Sequence, residues 1–165
     1  YIRELMKEKD LSVADEVSLK ERIWSERNRV DDLLREATRI LADKTGGIGL
    51  AITDDKYMYS SGYSHLLSMP EFYDIEVMRH VLSLIDERNL LHDIFHANYD
   101  DNPVKVVFGA ELGNKYLEPV SLLYIEVDVA GSVCQLGVLG SNRFDYRYVV
   151  PMMRYFRGLI KDLVE

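Results

Sequence analysis

The chain has 165 residues, 47% hydrophobic and 29% charged, with a net charge of −8. That is enough for one domain with a real core, and no apolar run nears the ~20 residues of a membrane span. An acidic domain is poorly suited to gripping phosphates itself, because nucleic-acid affinity is dominated by basic neutralisation.

Tyr1 to Lys9 is a short charged amphipathic piece with Ile2, Leu5 and Met6 on one side. Ser12-Val13-Ala14-Asp15 resembles a capping box opening one long helix, from Asp15 to about Lys44. Val30, Leu33, Leu34, Ala37, Ile40 and Leu41 give its second half a stripe at helical spacing. Its first half is mostly charged, with Val17, Ile23 and Trp24 as isolated apolar positions. Such a half-helix is expected to extend as an arm or lie against a partner, with those three residues as the interface. Thr45-Gly46-Gly47 stops the helix.

Ile48 to Thr53 is a buried-strand run, Asp54-Asp55-Lys56 a tight turn, and Lys56 to Ser61 a returning strand. Pro70 suits the first turn of a second helix whose apolar face is Ile75, Met78, His80, Val81, Leu82 and Ile85. That helix breaks near Arg88-Asn89, and Leu90 to Phe95 adds a further turn or two. After the loop Asn98 to Pro103 come three strand runs, Val104–Phe108, Ser121–Val129 and Ser132–Leu139. Ala130-Gly131 joins the last two as a hairpin turn. Asp145 is placed to cap a final helix with apolar positions Tyr146, Val149, Val150, Met153, Phe156, Ile160 and Leu163.

The expected fold is therefore α+β: an α/β sandwich with a mainly antiparallel five-stranded sheet covered by long N- and C-terminal helices side by side. Residues 1–44 read as linker and long helix, and residues 45–165 as the domain that helix 30–44 completes. The chain opens on Tyr1 rather than Met and shows no signal-peptide pattern, so a fragment or processed product is expected, with a functional domain upstream.

Little catalytic chemistry is legible. GxSxG, Walker and GxGxxG patterns do not occur, and Gly137-Val138-Leu139-Gly140 lacks the lysine and loop length of a phosphate cradle. His92 and His96 are four apart and form a possible metal pair, but without HExxH. Asp54-Asp55 reads as a solvated turn rather than a metal site. Cys134, the single cysteine, makes no internal disulfide, fits a reducing cytoplasmic compartment, and reads as a buried structural thiol. Arg143, just before the last helix and near Asp145, reads either as a structural pair or as a contact to a partner domain or ligand. No catalytic residue, metal or cofactor is assigned, and no enzyme is expected.

Three segments carry a family resemblance. Leu136-Gly137-Val138-Leu139-Gly140-Ser141-Asn142-Arg143-Phe144-Asp145-Tyr146 is similar to an L-G-x-(I/L)-G-P-x-R-M-x-Y block, with Ser141 for Pro and Phe144 for Met. Ser61 to Phe72 is similar to G-L-S-N-L-L-x-x-P-E-F. Val106 to Leu112 with Ser121-Leu122-Leu123 is similar to a strand, I-G-x-E-N and S-L-V series, and Tyr1 to Met6 to the stretch just after a DNA-binding domain. These blocks, in this order, resemble the C-terminal part of the heat-inducible transcription repressor family, HrcA.

The resemblance implies a GAF-like regulatory domain with motif positions Gly62, Pro70, Glu71, Phe72, Gly109, Gly137, Gly140, Arg143 and Tyr146. It implies a homodimer whose upstream winged helix binds an inverted-repeat operator, CIRCE, before chaperone genes. It also implies a GroEL-type chaperonin as modulator. The family's inserted dimerisation domain has only the turn around Asp54-Asp55-Lys56 in its place. The alternative reading is a GAF-like small-molecule-sensing domain of another transcription regulator.

Overall fold

A computed structural model describes residues 10–26, 29–97 and 101–164. The expectations for Tyr1–Lys9, and for Asn98 to Asp100 of the loop, lie outside the described residues. The element order is α1 (Val13–Trp24), α2 (Val30–Thr45), β1 (Ile48–Thr53), β2 (Met58–Ser61), α3 (Ile75–Asp86), α4 (Arg88–His96), β3 (Val104–Phe108), β4 (Val120–Val129), β5 (Ser132–Ser141) and α5 (Tyr146–Val164). Two 3₁₀ turns, Tyr63–Ser68 and Pro70–Tyr73, lead into α3, and two more, Gly109–Leu112 and Lys115–Leu117, join β3 to β4.

The five strands form one sheet in the order β2-β1-β5-β4-β3, antiparallel throughout. Period-2 alternation divides each central strand between two cores. Leu123, Ile125, Val127 and Val129 of β4, with Cys134, Leu136 and Val138 of β5, face α1, α2 and α5. Val120, Leu122 and Tyr124, with Ile48, Leu50 and Ile52 of β1, face α3, α4 and the 3₁₀ turns. A sheet covered on both sides explains why its strands read as near-continuous apolar runs.

The single long N-terminal helix is corrected to two. Arg29 leaves helical geometry at φ −130°, ψ 118°, and α2 begins at Val30. A continuous helix of about 30 residues would run ~45 Å, beyond the body of a domain this size, and would strand Leu19 in solvent. Folding back instead buries Leu19 and Ile23 completely. Arg22 pairs with Glu36 and Asp43 at 2.8 and 3.1 Å, and Lys44 with Asp15 at 3.1 Å, across the helix pair. So α1 is not an arm. It lies against both α2 and α5, within the same core. Ser12 caps it as expected, accepting the Asp15 N–H at 3.1 Å, and Gly46 ends α2 in the left-handed region at φ 72°.

The predicted face of α3 is also corrected. Val77, Val81, Leu84 and Ile85 are buried, whereas Ile75 and Leu82 are exposed. This helix is apolar on more than one side, so periodicity alone did not fix its rotation. Its start is set by Asp74, which accepts the Glu76 N–H at 2.9 Å, while Pro70 belongs to the preceding 3₁₀ turn. His80 leaves the core and stacks on Tyr116 at 4.6 Å. The β4–β5 turn is as expected, with Ala130 and Gly131 both at positive φ, 55° and 83°.

Candidate functional site

The motif residues converge where β5 gives way to α5. The segment 141–145 is held by its backbone: the Asn142 N–H donates to the Pro119 carbonyl at 2.8 Å, and the Phe144 N–H to the Ser141 carbonyl at 3.2 Å. The Arg143 N–H donates to Ser141 Oγ at 3.1 Å. The two bonds to Ser141 fix the turn locally, and the bond to Pro119 anchors it to the segment that leads into β4. The tip of the Phe144 ring then lies against two glycines. A Cβ at Gly47 or at Gly140 would stand only 2.9 or 2.7 Å from Phe144 Cζ.

Arg143 reaches the 3₁₀ turn before α3, where its Nε pairs with Glu71 Oε1. The sequence placed Asp145 nearest; the ion-pair partner is Glu71. The Glu71 side chain is 15% exposed and that of Arg143 66%. Burial alone would raise the Glu71 pKa. Its own backbone N–H, the Arg143 guanidinium and the Ser141 hydroxyl outweigh that, and the carboxyl titrates below the ordinary value of 4.5. Phe72, next along the chain, is buried and pins the turn to the sheet. A shallow groove of about 350 Å³ runs beside the pair, lined by Thr45, Ser68, Met69, Pro70 and Phe144 among others.

Tyr146 ties this junction to β4. Its hydroxyl donates to the Asn142 carbonyl at 2.9 Å and lies 3.0 Å from Ser121 Oγ. Burial raises its pKa, as expected of a phenol that keeps its proton. Three other motif glycines are structural. Gly62 holds φ 92° against Ala42, and Gly109 packs so tightly that a Cβ would fall 1.5 Å from the Leu117 carbonyl oxygen. At Gly137 a Cβ would come within 2.7 Å of the Leu123 carbonyl oxygen.

The three residues expected at an interface separate. Val17 and Trp24 face outward, but Ile23 is buried inside the chain and is withdrawn from that surface. Leu19, passed over in the sequence, is its buried companion, and its i, i+4 spacing with Ile23 was the signal. His92 and His96 stack on each other at 4.1 Å, and His96 Nδ1 lies 2.7 Å from the His92 carbonyl. Among the described residues, no three His, Cys, Asp or Glu side chains are grouped to hold a metal. Cys134 is buried, and burial with nearby Asp54 and Asp128 pushes its pKa up to about 11.

This arrangement latches. A carboxylate–guanidinium pair, a ring against two glycines and a tyrosine bridge fasten the strand end to its covering turns. The fold is that of a GAF-like domain, an antiparallel sheet with helices on both faces. One solved structure, titled "Crystal structure of a hypothetical protein at 2.2 A resolution", shares this fold at a TM-score of 0.66 and 10% identity, over 81% of this chain and 67% of that one.

The chain belongs to the HrcA family, matching the family described as "HrcA protein C terminal domain" over residues 1–150. It is similar to the heat-inducible transcription repressor HrcA of Pelotomaculum thermopropionicum, 26% identical over 90% of this chain and 42% of that protein. It is likewise similar to HrcA of Bacillus pumilus, 28% identical over 79% and 36%, and of Thermodesulfovibrio yellowstonii, 31% identical over 64% and 31%. The chain thus spans about two fifths of the length of its Pelotomaculum relative or less. Among the described residues, no helix is long and apolar enough to cross a membrane.

Proposed function

We propose that this chain is the regulatory and dimerisation domain of a heat-shock transcriptional repressor acting in the cytoplasm. It lowers expression of chaperone genes through an inverted-repeat CIRCE operator that a separate N-terminal winged helix contacts. A GroEL-type chaperonin modulates it, and the domain itself makes and breaks no covalent bond. The observation that carries this reading is the family match across residues 1–150. The net charge of −8 supports a division of labour in which this part grips no phosphates. An inverted-repeat operator calls for a two-fold protein.

Operator binding tests it. The chain alone is expected to leave an operator duplex unshifted at physiological salt. The same chain joined to its upstream domain is expected to bind the inverted repeat specifically and a scrambled duplex not at all. Equal binding to both duplexes would refute the assignment.

A second reading, a small-molecule sensor, draws on the groove beside Glu71 and Arg143. A metabolite that raises the melting temperature of the wild type but not of an Arg143→Met variant would favour it.

A further inference from the structure

Helix α1 has two faces. Leu19 and Ile23 point into the core, whereas Val13, Val17 and Trp24 are 75%, 48% and 49% exposed. With Lys20, also exposed, these three follow i, i+4, i+7 and i+11 and stack along one outward stripe. The stripe borders a groove of about 450 Å³ between α1 and α5. Lys20 and Trp24 form one wall of it; Tyr155, Gly158, Leu159 and Leu163 line the other side, with the charged Arg154 and Asp162 among them. The space above Gly158 is open, with nothing within 4 Å of where a Cβ would stand. Glu16 lies on the α5 edge of the stripe, close enough for its charge to act on Tyr155.

We propose that this face binds a second copy of the chain, with the two α1 helices antiparallel about a two-fold axis. The proposal rests on the repressor reading above. A parallel pairing would set Lys20 against the partner's Lys20. The antiparallel one sets Val13 against the partner's Trp24 and Val17 against the aliphatic stem of the partner's Lys20. In a two-fold antiparallel pair each flank meets its own counterpart, so Glu16 falls beside the partner's Lys20, twice per dimer. Neither Glu16 nor Lys20 makes an ion pair among the described residues. The partner's Val13, reaching Trp24, enters the groove over Gly158. An interface of one helix pair is small, so the association depends on concentration.

Sedimentation equilibrium of the chain over a concentration series reads the outcome. The wild type is expected to dimerise reversibly. Trp24→Glu and Lys20→Glu are expected to weaken the dimer at least about tenfold, and far-UV circular dichroism of each variant is expected to match that of the wild type, which shows that the monomer stays folded. The double variant Glu16→Lys with Lys20→Glu reverses the cross-helix pair and is expected to restore the dimer. A wild type that stays monomeric overturns the proposal, as does a Trp24→Glu variant of unchanged mass or a double variant that fails to recover. Operator binding by the chain rejoined to its upstream domain is a separate reading. A monomeric chain whose rejoined form still binds the operator loses this interface and keeps the repressor function.

Discussion

Thr38 and Gly49 meet backbone to backbone where α2 crosses β1: a Cβ on Gly49 would stand 2.0 Å from the Thr38 carbonyl oxygen. The same threonine donates its hydroxyl to the Arg35 carbonyl at 2.8 Å and lies 3.1 Å from Ser61 Oγ. The contact between α2 and β1 thus leaves no room for a side chain at Gly49. Gly49→Ala forces backbone apart and is expected to cost about 3 kcal/mol or more. Urea unfolding followed by circular dichroism measures it. A loss under 1 kcal/mol would mean that α2 stands further from β1.

Gly140→Ala meets a side chain instead of backbone, the Phe144 ring at 2.7 Å. A ring can turn aside where a carbonyl cannot, so the loss is expected to be about 1–2 kcal/mol. Phe144→Leu added to Gly140→Ala is expected to return part of it, because the smaller side chain clears the new methyl. The double-mutant cycle over these two positions reports the coupling. Strict additivity would separate the ring from the glycine.

The Glu71–Arg143 pair makes stability depend on pH. The folded Glu71 carboxyl titrates below 4.5, its unconstrained value. Its contribution is complete above that value and is lost as pH falls through the folded pKa. Arg143 is mostly exposed, so screening keeps the effect near about 1 kcal/mol. Arg143→Met is therefore expected to be less stable than wild type at pH 7 and equal to it in strong acid. A difference that persists unchanged at low pH would assign the loss to packing.

Leu19 and Val17 share α1 but not its surroundings, one fully buried and the other outward. Leu19→Ala is expected to cost about 3 kcal/mol, and Val17→Ala less than about 0.5 kcal/mol. Chemical denaturation of the two variants decides whether α1 belongs to the core.

Cys134 is buried with its pKa pushed up to about 11. Thiolate is the reactive form, so the native protein at pH 7.5 is expected to react with a thiol reagent far more slowly than the same protein in denaturant. Fast native labelling would show that β5 opens locally.

The sheet was legible because its strands are covered on both sides. Ile48 to Thr53 and Ser132 to Leu139 read as apolar runs bounded by turn residues, and they pair as such. The Ala130-Gly131 turn was legible from its chemistry. Where the sequence misled, long-range packing had decided. Nothing local to Ser25–Arg29 demands that a charged helix fold back, and the demand comes from Leu19 and Ile23 finding α2 and α5. The rotation of α3 follows from the Asp74 cap and buried Phe72, while Ile75 and Leu82 satisfy the same helical period. At the motif the residues were found but their partnership was not. Arg143 and Glu71 stand far apart along the chain, and only the folded sheet brings them together.

The two longest strands are joined by the two-residue turn at Ala130-Gly131 and pair over their full ten residues. That hairpin closes cheaply, whereas β1, which pairs β2 locally, must wait for its second neighbour, β5, from far along the sequence. On a ribosome α1, α2, β1 and β2 emerge before β4, β5 and α5, so Leu33, Leu34 and Ile40 lack their sheet and α5 partners until those elements are made. The half-synthesised chain is consequently more prone to aggregate than the finished one.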